Sequence, residues 1–218
     1  MENRELLFYV LSGLLLMIFF LQVAGYMDEI NTRVDSTLPH TSSFPIVLLT
    51  ETAGMAAFLI VVLFFAALDV RKTGHLSYPT VRLVLSGIIT LGIVAILKST
   101  FQTPRPNEAE VSLPFLMALK NVDYFAFPSG HTARASVLAS YLQERSPRYA
   151  PLWWAYAVGI ALTRLLLHVH WLGDVLFSLL LGSWAYLLVD LTRDSWLPVY
   201  QKTVKLLGLE VFDVELVR

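Results

Sequence analysis

Six apolar stretches constrain the fold of this chain more than any other feature of its sequence. A bilayer core accommodates about 20 apolar residues per helix, and the chain is 56% hydrophobic and 15% charged, with a mean hydropathy of +0.62. We therefore predict an all-α, six-transmembrane helix bundle that forms a single domain over residues 1–218. The predicted spans are Leu6–Ala24, Ile46–Leu68, Val81–Leu97, Gly130–Leu142, Leu152–Leu167 and Leu172–Leu191.

The fourth and fifth stretches are short and polar at one end. We expect both to be interior helices whose ends open into a cavity, because polar backbone and side chains at membrane depth need a water-filled or protein-lined environment. The first stretch follows MENRE and could be read as a signal peptide. It is long for that role and lacks a small-residue cleavage site directly after it, so we expect it to be retained as a span.

The basic residues predict the orientation of the chain. Lys and Arg concentrate on the cytoplasmic side of membrane proteins. Here they fall before span one, between spans two and three, between spans four and five, and after span six. We therefore expect a multi-pass protein of the cell membrane with both termini, and the tail 192–218, in the cytoplasm. The residues that carry this prediction are Arg4, Arg71, Lys72, Arg82, Arg145, Arg148, Arg193, Lys202, Lys205 and Arg218.

Net charge and cysteine content limit the possible chemistry. The formal charge of −1 gives no indication of a nucleic-acid partner, and the absence of cysteine removes disulfide and thiolate chemistry. The sequence does not indicate an oligomeric state.

The run TRLLLHVHWLGD carries the first candidate catalytic group, formed by Arg164, His170 and Asp174. On a helix beginning near His170, an i,i+4 spacing places Asp174 one turn away on the same face. The carboxylate can then orient the imidazole and leave its other nitrogen as a nucleophile. Arg164 would lie on a different face of one continuous helix, so we expect a turn between Arg164 and His170.

The run LKSTFQTPRPNE carries two cations, Lys98 and Arg105. Pro104 and Pro106 disfavour helix at the residues before them, so the chain should leave the third helix here. Cations at a membrane boundary can simply extend to lipid headgroups. An ammonium and a planar guanidinium are also the groups that hold phosphoryl oxygens.

The run FPSGHTARAS predicts a helix that opens at Gly130 after Ser129. Unpaired amides and the helix dipole make such an N-terminus favourable for anions. His131 lies in the first turn, where a lone histidine is often a cap or a packing residue. Beside the other groups it becomes a candidate acid or base.

The alternation of spans brings these groups together. Lys98 ends span three, His131 begins span four, Arg164 ends span five and His170 begins span six. All four ends should therefore lie on the side opposite the cytoplasmic charges. We predict one pocket at the extracytoplasmic ends of helices 3 to 6.

Three ordered motifs resemble a known family. Lys98–Pro106 matches K-x6-R-P, Pro128–His131 matches P-S-G-H, and Arg164–Asp174 matches R-x5-H-x3-D. The chain resembles the type 2 phosphatidic acid phosphatase (PAP2) superfamily of integral-membrane lipid phosphatases, which also includes vanadium haloperoxidases. Thr163 stands where the family pattern has Ser, and it retains a hydroxyl.

The resemblance implies a metal-independent phosphatase with a phosphohistidine intermediate and no cofactor. His170 would be the nucleophile, Asp174 its orienting carboxylate, and His131 the acid and then the base. His168 and His170 could suggest an H-x-H metal pair, but no third ligand is evident nearby. The phosphate-binding groups implied are Lys98, Arg105, Ser129, Gly130 and Arg164.

The substrate implied is a lipid phosphate in the bilayer. We prefer a polyprenyl diphosphate, undecaprenyl or dolichyl, with phosphatidate or phosphatidylglycerophosphate as the alternative. A non-enzymatic lipid-headgroup binder or transporter would also explain the spans and the buried charges, whereas the apolar spans argue against a soluble haloperoxidase. The sequence leaves open the roles of Glu51 and of the 107–127 loop, whose 113–119 stretch could be an interfacial lid or pack on the bundle.

Overall fold

The computed structural model describes residues 2–215 and confirms an all-α fold. Arg218, one of the basic residues of the predicted cytoplasmic tail, lies outside the described residues. Two-residue strands β1 (Leu76–Ser77) and β2 (Val214–Glu215) pair in parallel. The helices are α1 (Glu2–Val23), α2 (Asp28–Thr37), α3 (Phe44–Glu51), α4 (Met55–Thr73), α5 (Tyr78–Phe101), α6 (Phe115–Lys120), α7 (Gly130–Arg145), α8 (Ala150–Leu166), α9 (Leu172–Leu191) and α10 (Arg193–Leu206).

Several of these helices are long and apolar enough to cross a bilayer, and the chain is an integral membrane protein. Residues 3–23 of α1, helix α5 and helix α9 each contain an 18-residue stretch of high mean hydropathy, with values of 2.4, 2.2 and 1.8 respectively. The bent pair α3 and α4 would make a fourth span. Helices α7 and α8 have 16 and 17 residues and are shorter than a typical span. The count of six spans therefore stays a prediction.

The second apolar stretch, Ile46–Leu68, is not one continuous helix as predicted. Helix α3 ends at Glu51, α4 begins at Met55, and the two axes differ by 49°. Gly54 lies at the break, where a Cβ atom would stand 3.0 Å from the carbonyl oxygen of Glu51. The break leaves the Ala53 carbonyl outside both helices, and this oxygen accepts a hydrogen bond from Arg134 Nε at 2.8 Å. The lost helical contact is thus replaced by one from α7.

Helix α7 lies at the centre of the bundle and packs on α5, α8 and α9. Small side chains, including Ala133, Ala135 and Ala139, are buried along it. They let backbones approach closely, as is usual between membrane helices. Gly182 of α9 fits so tightly that a Cβ atom there would stand 2.6 Å from the Ala133 carbonyl oxygen.

The expectation of interior helices holds for α7 but only partly for α8. Helix α7 is buried over most of its length, from Thr132 to Ala139. Helix α8 buries one face and exposes Leu152, Val158 and Leu162 on the other. Its apolar outer face is suited to lipid, so α8 is a wall of the bundle and not a core helix.

Buried ion pairs join the helices at the end of the bundle where α7 and α9 finish. Arg82 contacts Glu144 at 2.6 Å and Asp190 at 3.2 Å, and Arg145 contacts Asp69 at 3.1 Å. Two of the cations that the sequence analysis counted as cytoplasmic are therefore neutralised within the protein. Removing one partner of such a pair leaves an uncompensated buried charge.

The Arg82 cluster gives a stability prediction. Arg82→Met should lower the free energy of unfolding by about 3–5 kcal/mol, because Glu144 loses its Arg82 partner and Asp190 is left with the exposed Arg4 as its ion-pair partner. Thermal unfolding in detergent micelles measures the effect. The control is Arg33→Met, which removes an exposed pair with Glu29 and should cost less than about 1 kcal/mol. Equal costs for the two variants would contradict this account.

Candidate active site

The predicted site residues lie at the ends of four helices that meet at one end of the bundle. The start of α7 touches the start of α9, where the Ser129 amide donates to the Asp174 carbonyl oxygen at 3.5 Å. The predicted site residues are distributed over these helix ends as follows: Lys98 lies in the last turn of α5, Arg105 just after α5, Ser129, Gly130 and His131 at the start of α7, Arg164 in the last turn of α8, and His170 and Asp174 on either side of the start of α9.

His170 and Asp174 form a buried pair. His170 Nδ1 and Asp174 Oδ2 are 3.2 Å apart, and their side chains are 2% and 0% exposed. The helix begins at Leu172, as the sixth predicted span does, so His170 lies just before it and not within it. Asp174 caps this helix by accepting a hydrogen bond from the Trp171 amide at 2.8 Å. The same carboxylate oxygen thus fixes both the helix start and the imidazole.

The turn expected between Arg164 and His170 is present. Helix α8 ends at Leu166, and the Val169 amide donates to the Arg164 carbonyl at 3.2 Å. His168 takes a left-handed conformation with φ of 49°, which reverses the chain. The turn returns His170 towards the end of α8.

The surroundings of His170 favour a neutral imidazole. Burial, together with the positive charges of Lys98 and Arg164, holds the pKa of His170 well below its usual range. An ionised carboxylate can only accept a hydrogen bond, so in this pair Nδ1 carries the hydrogen atom and donates the hydrogen bond to Asp174 Oδ2. The lone pair of Nε2 is then available for nucleophilic attack.

His131 lies in the first turn of α7 and is partly exposed. The charges of Lys98, Arg105, Arg134 and Arg164 all act on it. A charge on His131 acts in turn on His170. With the contact between Ser129 and Asp174, these interactions place the two imidazoles and the cations at the same end of the bundle.

Four cations at this end are held by neutral oxygen atoms. Lys98 donates to the Phe125 carbonyl and Arg105 to the Asp123 carbonyl. Arg164 Nη1 donates to Thr50 Oγ1 at 3.0 Å, and Arg134 donates to Ala53 as described above. Within residues 2–215 none of the four forms a salt bridge.

Unused donors remain in this cluster. The buried Nε atoms of Arg105 and Arg164 have no hydrogen-bond partner among the described residues. A phosphoryl group offers several acceptor oxygens and compensating negative charge. The arrangement is therefore suited to bind a phosphate.

Ser129 also has a structural role, which its sequence context did not predict. It is the N-cap of α7, and its Oγ accepts from the Thr132 amide at 3.5 Å and from Thr132 Oγ1 at 3.0 Å. The hydroxyl proton of Ser129 remains for a ligand. The helix N-terminus itself is favourable for an anion.

Sequence reasoning did not assign a role to Arg134 or Thr50. Arg134 Nη1 lies 3.4 Å from the position of a Cβ atom on Gly130, so its guanidinium borders the α7 N-terminus. An arginine inside an apolar stretch is the signal that could have identified it, because such charges are costly unless they serve a purpose. Nothing in the local sequence marks Thr50.

The neighbouring His168 makes separate contacts. Its Nδ1 lies 2.8 Å from Asp35 Oδ1, and its ring packs on His40 at 5.1 Å between centroids. Over the described part of the chain, no three His, Asp or Glu side chains are grouped so that they could hold a metal ion.

Comparison with known proteins decides the family. A model of the PAP2 superfamily matches residues 79–195, which is more than half of the chain and includes every predicted site residue. The chain belongs to the PAP2 superfamily. It is accordingly an enzyme of the lipid phosphatase class.

Two solved structures share the fold of this PAP2 protein. One is a transmembrane PAP2 type phosphatidylglycerolphosphate phosphatase from Bacillus subtilis, with a TM-score of 0.62 and 20% identity over 89% of this chain and 97% of that one. The other is Aquifex aeolicus LpxE, with a TM-score of 0.53 and 21% identity over 73% of this chain and 92% of that one.

The cation cluster predicts anion binding. Orthovanadate is a phosphate analogue and should raise the midpoint of thermal unfolding in detergent. At a concentration of 100 times its dissociation constant, it should add about 2.7 kcal/mol to the free energy of unfolding. Arg164→Ala should remove most of this stabilisation, whereas Arg33→Ala should keep it. An unchanged vanadate effect in Arg164→Ala would contradict the assignment.

Proposed function

We propose that this PAP2 protein is a metal-independent membrane lipid phosphatase that uses His170 as its nucleophile. The supporting observation is the buried His170–Asp174 pair beside four cations that have only neutral partners among the described residues. The positive charge of these cations favours binding of an anionic phosphoryl group beside the His170 imidazole. A headgroup binder would need the cations but not an oriented imidazole.

In the first step His170 Nε2 attacks phosphorus and a P–N bond forms. The P–O bond to the lipid breaks, and His131 donates a proton to the departing oxygen. Asp174 stabilises the imidazolium that results. In the second step His131 takes a proton from water, the hydroxide attacks phosphorus, and the P–N bond breaks to release inorganic phosphate and neutral His170.

The cations stabilise the charge on the transferring group. We assign Lys98, Arg105 and Arg164 to the phosphoryl oxygens, together with the Ser129 hydroxyl and the Gly130 amide. Most of the rate enhancement in phosphoryl transfer comes from such preorganised charge. Lys98 and Arg105 each keep further N–H donors beyond those given to the Phe125 and Asp123 carbonyls.

We further propose that residues 1–218 form one domain with six spans, in which α3 and α4 together make the second span and α7 and α8 the fourth and fifth. The distribution of basic residues supports cytoplasmic termini and an extracytoplasmic site in the cell membrane. The site lies at the end of the bundle away from the Arg82 and Arg145 ion pairs.

The preferred substrate is a polyprenyl diphosphate, undecaprenyl or dolichyl. Helix α6 exposes Phe115, Leu116 and Met117 near the end of α5, which supports a substrate that arrives from lipid. The Bacillus subtilis neighbour supports phosphatidylglycerophosphate equally, and phosphatidate remains an alternative.

A panel of lipid phosphates tests the substrate. Purified protein in detergent should release phosphate from undecaprenyl diphosphate with a higher kcat/KM than from phosphatidate or phosphatidylglycerophosphate, and EDTA should have little effect. A higher kcat/KM on phosphatidylglycerophosphate would assign the enzyme to that alternative. Binding of these lipids without phosphate release would instead favour a non-enzymatic protein.

The two histidines should behave differently when they are replaced. His170→Ala should abolish turnover and any trapped phosphoenzyme, because no nucleophile remains. His131→Ala should lose a factor of about 10² to 10⁴ and still accumulate phosphohistidine from a substrate with a good leaving group. The control is His75→Ala, whose ring bonds to the Glu210 carbonyl outside the site. Near-normal hydrolysis by His170→Ala would rule out the nucleophile assignment.

A further inference from the structure

A residue beside the break between α3 and α4 contacts one of the proposed phosphate-binding cations. Thr50 lies in the last turn of α3 and is 2% exposed. Its hydroxyl accepts the 3.0 Å hydrogen bond from Arg164 Nη1. Among the described residues, Thr50 is the one hydrogen-bond partner of the Arg164 side chain.

Arg164 needs such a partner because its guanidinium is otherwise free to turn. The residue is 7% exposed, and its Nε donor is buried and unpaired within residues 2–215. The hydrogen bond at Nη1 restricts the orientations that the guanidinium can adopt. The remaining donors can then point towards the site without rearrangement when a phosphoryl group arrives.

The position of Thr50 is itself fixed from α7. Arg134 Nε holds the Ala53 carbonyl, and the same guanidinium borders Gly130 at the α7 N-terminus. The break is therefore joined both to α8, through Arg164, and to the helix that carries His131. The negative charge of Glu51, between Thr50 and Ala53, acts on both guanidiniums.

We propose that Thr50 is a positioning residue for the phosphate site: it orients Arg164 and does not itself contact the substrate. Because α3 ends at the break, Thr50 in its last turn lies beside Arg164 in the last turn of α8. The proposal rests on the proposed function, in which Arg164 binds the phosphoryl oxygens. It gives the break a functional reason that the apolar sequence around it does not suggest.

The test replaces the hydroxyl alone. Thr50→Val keeps the shape of the side chain and should lower kcat/KM for dioctanoyl phosphatidic acid by about 10- to 100-fold, the cost of a misplaced binding group. The inhibition constant of orthovanadate should rise in parallel. Thr50→Ser should restore both values to within about twofold of the wild type.

Thr52→Val is the matched control. Its hydroxyl lies in the same break but bonds to the Leu49 carbonyl and the Tyr156 hydroxyl, not to Arg164. This variant should stay within about twofold of the wild type in kcat/KM. Equal losses in Thr50→Val and Thr52→Val would overturn the proposal.

A double-mutant cycle tests whether Thr50 acts through Arg164. In an Arg164→Lys background, Thr50→Val should cost less than about twofold further. The same loss in both backgrounds would overturn the proposal, because Thr50 would then act independently of Arg164. Absence of phosphate release by the wild type would overturn the proposed function instead, and vanadate affinity from thermal unfolding would still test Thr50.

Discussion

A positive charge can be buried among apolar helices only if negative charge or many polar atoms compensate it, and this molecule does so differently at its two ends. At one end, carboxylates neutralise Arg82 and Arg145. At the other, carbonyl and hydroxyl oxygens hold Lys98, Arg105, Arg134 and Arg164 in place without cancelling their charge. The first end has its charges paired within the protein, whereas the second is electrostatically suited to an added anion.

The motifs identified the chemical groups better than the helices that carry them. Spacing alone placed His170 next to Asp174, and the last apolar stretch coincides with α9 at Leu172–Leu191. The i,i+4 spacing suggested that His170 and Asp174 share one helix, whereas His170 lies just before the first residue of α9. The carboxylate that orients the imidazole also caps the helix, and periodicity does not distinguish these two uses.

The break between α3 and α4 and its contacts could not be read from the sequence. Residues 46–68 are apolar throughout apart from a short polar interval, so composition predicts one span. The deciding contacts join Arg134 to a backbone carbonyl 81 residues away and Arg164 to a hydroxyl 114 residues away. Backbone carbonyls have no sequence signature, and a single threonine in an apolar run has little more. Only the tertiary arrangement shows why these two arginines are buried.

Gly182 shows that the positions of the candidate site residues depend on close backbone packing between α7 and α9. Helix α7 begins beside His131, the proposed acid, and α9 begins beside His170, the proposed nucleophile, so the separation of these two helices bears on the distance between the two side chains. At their crossing a hydrogen atom on Gly182 stands where a methyl group would meet the Ala133 carbonyl at 2.6 Å. The spacing of the two helices that carry the imidazoles therefore depends on a hydrogen atom, the smallest possible substituent, at one position inside α9.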